Sequence, residues 1–260
     1  MRGRPEEEPT DASYALRDDQ WDRIKDILPG REGHVGGTAA DNRLFVEAVL
    51  FRFRAGVPWR DLPERFGDWK IVYQRFNRWA KGGVFERVFK LLASDHDNEY
   101  MMIDATIVRA HQHSAGAKRK DGAQAIGRSR GGLTTKIHAL VDALGNPVEV
   151  MLSPGQDHDL TCAESLIEAV DPGALIADKA FDADVFIAAL DDRAIVPVIP
   201  SKSNRKTPRP CDFVLYCERN LIERFFNKLK HFRAIATRYD KLAKIFLAGV
   251  QLACAAILLS

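Results

Sequence analysis

The chain has 260 residues, 46% of them hydrophobic and 28% charged, with a formal net charge of +2. The apolar share supports a sizeable core in one large or two smaller domains and excludes wholesale disorder. With so small a net charge, the placement of the cations rather than their sum decides whether nucleic acid is a partner.

Residues 1–10 are polar, carry Glu6, Glu7 and Glu8, and lack the apolar stretch of a secretory signal. Residues 11–95 read as helices only. Asp18, Asp19 and Gln20 open a first helix with Trp21, Ile24, Ile27 and Leu28 at helical spacing, stopped by Pro29 and Gly30. A second helix fits residues 42–55 and ends at Gly56. Residues 58–63 start a short third, and Gly67 and Asp68 cap a fourth that runs to about Ala80. On this fourth helix Trp69, Val72, Tyr73, Phe76 and Trp79 form an apolar stripe, while Lys70, Gln74, Arg75, Asn77, Arg78 and Lys81 lie elsewhere on its surface. Short helices, the last one basic, suggest a helix-turn-helix with Arg75 and Arg78 on DNA; a plain helical bundle with a solvated face is the alternative.

Residues 99–260 change texture. Residues 100–108 are an apolar run broken by Asp104 and predict a buried strand. Residues 136–141 and 147–152 predict a hairpin around Gly145 and Asn146. A helix over 160–170, a strand over 174–178 ending in Asp178, a helix over 182–190, a strand over 194–199 and a helix over about 217–236 follow, which together predict a mixed α/β sheet. Two basic loops, 118–136 and 202–209, are Gly-, Ser- or Pro-rich and are expected to be mobile without a partner. The first carries Lys118, Arg119, Lys120, Arg128, Arg130 and Lys136, and the second Lys202, Arg205, Lys206 and Arg209. Of these, Arg128, Arg130 and Lys136 are candidate phosphate contacts. Residues 245–259 are apolar but interrupted by Gln251 and shorter than a membrane span, so a buried C-terminal helix and no membrane partner are expected. Cys162, Cys211, Cys217 and Cys254 show no CxxC spacing and read as free thiols in a reducing cytosol.

Two acids stand out. A carboxylate within or at the end of a buried strand is costly unless a cation or metal offsets it, or the backbone bonds it, and Asp104 and Asp178 both sit so. A third, Glu223, shares a helical stripe with Tyr216, Arg219 and Lys230, because steps of three, four and seven residues return to one face. The modest reading of that stripe is an Arg219–Glu223 ion pair. The sharper one unites the three acids as an oxygen cage for magnesium, where two ions activate a water or 3′-hydroxyl and stabilise the leaving oxygen. Arg219 and Lys230 then hold the DNA backbone, and Tyr216 stacks on a displaced base or bonds a phosphate.

At these residues the chain resembles the bacterial insertion-sequence DDE transposases of the IS-four and IS-five superfamily. Their Tyr-x2-Arg-x3-Glu-x6-Lys signature stands here as Tyr216, Arg219, Glu223 and Lys230. The segments around Asp104, Asp178, residues 131–142 and residues 56–67 match the same pattern in order. The resemblance implies a ribonuclease-H-like catalytic core over 96–260, preceded by an all-helical DNA-binding domain of helix-turn-helix type over 1–95. It implies two Mg2+ ions, with Mn2+ as a substitute, and catalysis by Asp104, Asp178 and Glu223. Its partners would be double-stranded DNA at terminal inverted repeats and at the target, engaged in the bacterial cytoplasm by an oligomer, at least a dimer on paired ends. Asp182 matches a family acid and also fits a helix N-cap; His138 matches the family and also reads as a histidine on a sheet face. A non-catalytic DNA-binding protein derived from a transposase is the rival reading, and it has no need of three acids together. No GxGxxG or GxxxxGK[ST] motif supports a nucleotide cofactor.

Overall fold

The computed structural model describes residues 15–30, 41–116 and 124–260; Glu6 to Glu8 and the cations Lys118, Arg119 and Lys120 lie outside the described residues. Helix α1 (Asp18–Asp22) is shorter than its apolar spacing predicts and passes into a 3-10 turn, Lys25–Ile27. Leu28 is extended, at ψ 140°, because it precedes Pro29. Helix α2 (Asn42–Ala55) has the expected limits. Asp41 accepts a hydrogen bond from the Leu44 amide at 2.8 Å, and Gly56 ends the helix at φ 72°. A Cβ on Gly56 would also meet the Arg233 Cβ at 2.7 Å, so the left-handed turn doubles as a close approach between distant segments. Two 3-10 turns, Trp59–Asp61 and Glu64–Phe66, lead to α3 (Trp69–Lys81), where Asp68 accepts from the Lys70 amide. Helix α4 (Val84–Leu92) has no separate sequence prediction behind it; it follows the Gly82-Gly83 turn and buries Val84, Phe85, Val88 and Phe89.

The long strand β1 (Tyr100–Ala110) is central to a seven-stranded sheet. After it come β2 (Gly127–Ser129), β3 (Gly132–Val141), β4 (Pro147–Pro154), α5 (Ala163–Ile167), β5 (Ala174–Ile176), α6 (Asp184–Asp192), β6 (Val196–Val198), α7 (Phe213–Tyr216), α8 (Asn220–Lys230), α9 (Arg233–Ala236), β7 (Thr237–Arg238) and α10 (Ala243–Leu258). The strand order is β2-β3-β1-β5-β6, with β4 also on β3 and β7 also on β1. β2, β3, β4 and β1 run antiparallel, whereas β5 and β6 run parallel beyond β1.

Residues 127–136, expected as a mobile loop, instead form the β2–β3 hairpin. Thr134 and Thr135 are buried, and the Thr135 hydroxyl donates to the Ala125 carbonyl at 2.6 Å, so side chains typical of a loop here anchor a strand. Residues 202–209 are likewise fastened rather than loose. Buried Asp182 accepts from the Lys202 amide (2.8 Å), Arg205 Nε (2.8 Å) and Arg209 Nη1 (2.6 Å), while the residue before α6 that takes the cap position is Ala183. Burial alone would raise the Asp182 carboxyl, but these donors outweigh it and hold it below the usual carboxylate range.

One face of the sheet, with Met102, Val108, Ile137, Ala139 and Ile176, joins a continuous core with α2, α3, α4, α8 and α10. The other face, with Met101, Ile103, Leu140 and Leu175, packs on α5 and α6. Helix α10 is apolar on nearly every side because it is enclosed, as its sequence predicts; among the described residues no helix is long and apolar enough to cross a membrane. A Cβ on Gly249 would lie 2.2 Å from the buried Phe53 ring, so α10 and α2 meet through a missing side chain. Gly249→Val is expected to lower unfolding free energy by about 1–3 kcal/mol through overpacking, read as a lower midpoint in urea. An unchanged midpoint would refute that close packing.

Candidate active site

Strand β1 pairs with β5 as Tyr100↔Ala174, Met101↔Leu175 and Met102↔Ile176. Carrying that constant offset two residues further sets Asp178 beside Asp104. Both side chains alternate onto the face that Met102 and Ile176 share with α8. β5 ends at Ile176, and Asp178 then turns the chain, its carboxylate accepting from the Ala180 amide at 2.7 Å. β7 joins β1 only at Arg109 and Ala110, so residues 103–108 keep one edge without a strand partner among the described residues.

Arg219 closes the arrangement from the helical side. Its guanidinium donates to Asp104 at 2.8 Å through Nη1 and to Glu223 at 2.5 Å through Nη2. Asp104 and Glu223, remote in sequence, are thus separated by the breadth of one guanidinium. Apolar Ile222, Phe225 and Leu229 pack α8 into the core it shares with β1, which leaves Glu223 on the exposed side of the helix, joined to Asp104 through Arg219. Tyr216 lies under the Arg219 guanidinium, 6.0 Å from ring centroid to Cζ. Lys230 stands two helical turns beyond Glu223 on the same stripe and is half-buried.

Burial pushes the Asp104 carboxyl up to about 6, and the charge of Asp178 adds to that; the Ala105 amide and Arg219 pull the other way. Burial also works against the Arg219 charge, but Asp104 leads the neighbours that leave its pKa raised. One guanidinium therefore balances a strand carboxylate and a helix carboxylate at once. Among the described residues no three His, Cys, Asp or Glu side chains are grouped tightly enough to hold a metal, because Arg219 stands between Asp104 and Glu223. The donor chemistry still suits a hard divalent cation: all three acids offer oxygen, and the paired aspartates leave excess negative charge on the sheet.

The other candidate DNA contacts have different surroundings. Arg128 and Arg130 are exposed on the β2–β3 hairpin. Lys136 is half-buried, donating to Asp159 and to the Asp157 carbonyl, each at 2.7 Å. Arg75 turns inward, over Phe45 at 4.2 Å and Trp79 at 4.8 Å, and donates to the Asp41 carbonyl and the Asn42 side chain. Arg78 is exposed. His138 is fully buried on the sheet, 2.8 Å from the Ser153 hydroxyl, and burial lowers it to about 4, so it is neutral at physiological pH. Cys162, Cys211, Cys217 and Cys254 are free.

Sequence reasoning missed the Asp182–Arg205–Arg209 clasp and also Arg238. That arginine is fully buried and donates to Thr135 (2.9 Å), the Ala125 carbonyl (3.2 Å) and the Asp240 carbonyl (2.9 Å), with its pKa brought down by burial to about 10. Arg205 and Arg209 were visible only as local charge, and nothing local to Arg238 marks it as buried.

The family model described as "Putative transposase of IS4/5 family" matches residues 16–89, and that described as "Transposase DDE domain" matches residues 96–258. The chain is 45% identical over 130 residues to a putative transposase for insertion sequence element IS6501 of Brucella ovis, covering 48% of this chain and 98% of that one. It is 50% identical over 107 residues to an uncharacterized protein, y4sN, of Sinorhizobium fredii, covering 41% of this chain and 86% of that one. To a putative transposase for IS402 of Burkholderia cepacia it is 31% identical over 150 residues, 53% of this chain and 68% of that one. In fold it is similar to the piggyBac transposase in a synaptic complex with hairpin DNA, with a TM-score of 0.56 and 12% identity over 96% of this chain and 72% of that one. A mixed sheet flanked by helices, behind an N-terminal helical region, is thus the ribonuclease-H-like architecture expected from sequence. With models matched over residues 16–89 and 96–258 and transposases among its relatives, the chain belongs to the DDE transposases of the IS4/5 group.

Proposed function

We propose that this transposase cuts DNA at the terminal inverted repeats of its element and joins the freed strand to target DNA, with Asp104, Asp178 and Glu223 as the catalytic acids and ligands of two divalent ions, Mg2+ or Mn2+. The observation that carries the reading is the convergence of acids from β1, the turn after β5 and α8, with Arg219 bridging Asp104 and Glu223 and the charge of Asp178 acting on both Asp104 and Arg219. Bound ions would supply Lewis acidity and an activated water or 3′-hydroxyl. The carboxylates would fix where those ions sit, since Asp104 is carried on β1 and Asp178 follows β5, the strand paired with it. Arg219, now neutralising two acids, is placed to turn its fork to a phosphate oxygen beside them, and Lys230 to hold the same strand further along α8. Tyr216 supports Arg219 from beneath. Exposed Arg128 and Arg130 are placed for backbone phosphates away from the acids, and Arg78 for those on α3. Lys136 and Arg75 reach DNA only by leaving their present partners.

The N-terminal helices over 1–95 would recognise the repeats and the remainder perform the cutting, in an oligomer, at least a dimer, that pairs two ends in the cytoplasm. The test is incubation of the purified chain with Mg2+ or Mn2+ and labelled DNA bearing the ends of its parent element. Nicked ends and joined products are expected. Intact DNA with both ions, from folded protein that binds those ends, would leave the binding-only reading in place.

A further inference from the structure

A second site lies away from the acids. A cavity of about 940 Å³ opens between α3, the 3-10 turn at Trp59 and the segment that joins β7 to α10, and a neighbouring one of about 490 Å³ continues it along α3 through Tyr73, Asn77 and Leu242. Two tryptophans and two tyrosines line the larger cavity, Trp59, Trp69, Tyr73 and Tyr239, together with His113. They come from both ends of the chain. Trp59 packs on Tyr73 with centroids 5.5 Å apart, while Tyr239 on the opposite wall stacks on His111 at 4.7 Å and 25°. Tyr239 is 46% exposed and Tyr73 39%, a large aromatic surface for side chains that could otherwise have turned into the core.

Cations alternate with the rings. Arg60 lies over Trp69 at 5.7 Å, Lys241 follows Tyr239 at the rim, and Arg78 and Lys81 line the extension. All four are exposed, and among the described residues none is paired with a carboxylate. The one acid on the walls, Asp240, is already taken by Arg52 at 3.7 Å. At the floor, Trp59 Nε1 and Arg52 Nε lie buried without a hydrogen-bond partner among the described residues.

We infer that this groove binds an unpaired stretch of DNA. Ring faces stack on bases whatever their sequence, and a row of unneutralised cations follows the phosphates; a groove that offers both suits single-stranded nucleic acid. A duplex has no free base faces to offer these rings, and an acidic peptide would leave them uncovered. The groove sits at the far end of β1. From Asp104 to Ala110 the strand advances roughly 20 Å, so a strand leaving the acids crosses a few nucleotides before it reaches Tyr239, which follows the β7 segment paired with Ala110. Only this last spatial link rests on the catalytic proposal above; the affinity for unpaired DNA does not.

The test uses the full chain and a fluorescein-labelled oligothymidine of about 12 nucleotides, followed by anisotropy and by quenching of tryptophan fluorescence. Tyr239→Ala and Lys241→Ala change exposed side chains, so the fold is retained. Each is expected to weaken the single strand about 5- to 30-fold and to leave a blunt duplex within about twofold. The Asp178→Asn protein is expected to bind the oligonucleotide like the parent, so an inactive parent that still shows the groove phenotype removes the cleavage proposal and keeps this one. Equal weakening for single strand and duplex overturns the inference in favour of a duplex surface. Unchanged oligonucleotide binding in both variants also overturns it, and a dimer lost in Tyr239→Ala without any DNA effect assigns the groove to a second copy.

Discussion

Asp178→Asn and Glu223→Gln should each cut end DNA slower than the parent by roughly three orders of magnitude or more while binding that DNA within about threefold. The expectation follows from what each substitution spares. Asparagine at 178 keeps the oxygen that accepts from the Ala180 amide, so the turn after β5 survives. Glutamine at 223 keeps the shape of a side chain that is 55% exposed and can still accept from Arg219. Both remove one formal negative charge and one strong oxygen donor from the cluster, which a hard cation needs and the fold does not. Circular dichroism, anisotropy on labelled end DNA and a strand-cleavage assay with Mg2+ separate the effects. Parental cutting by either variant would remove that residue from the catalytic set.

Asp104→Asn should make the ion-free protein more stable at neutral pH while destroying its activity. Its carboxyl stands at about 6 in the folded chain against 3.8 for the free group, chiefly through burial. Protons therefore bind the folded state more tightly than the unfolded one. The cost of holding Asp104 charged is complete above about pH 6, shrinks as pH falls, and is gone below about pH 4, where both states are protonated. Asparagine never meets that cost. With chelator present, the variant should exceed the parent by about 3 kcal/mol at pH 7.5, and the two should converge toward pH 4. Added Mg2+ should raise the parent more than the variant, because only the parent retains the full set of acids. Urea midpoints across pH, with and without Mg2+, give the comparison. A variant less stable than the parent at pH 7.5 would show that the bond to Arg219 outweighs the burial of charge.

The sequence made visible whatever is set within a few residues. Helix α2 has its cap in Asp41 and its stop in Gly56, one at each end. The Asp104 strand and the stripe from Tyr216 to Lys230 follow from spacing alone. What stayed hidden depends on partners far along the chain. Residues 127–136 are rich in glycine and threonine and look like loop until β1 and β4 flank β3. Asp182 sits where a cap would serve α6, yet its partners are Lys202, Arg205 and Arg209, some twenty residues on. Arg219 reaches Glu223 by helical geometry, but its bond to Asp104 spans 115 positions and needs the folded sheet. The aromatic groove is hidden for the same reason: Trp59 and Tyr239 line one cavity only after β7 has joined β1.

The enclosed position of α10 bears on how the chain is made. Phe53, Phe85 and Phe89 lie early in the sequence, and Phe246 and Val250, which share their core, come almost two hundred residues later. Phe53 and Phe85 pack on Phe76 within the early helices, but the side that faces α10 stays uncovered until the ribosome has passed residue 250. A product released sooner would present that apolar surface to proteases and chaperones.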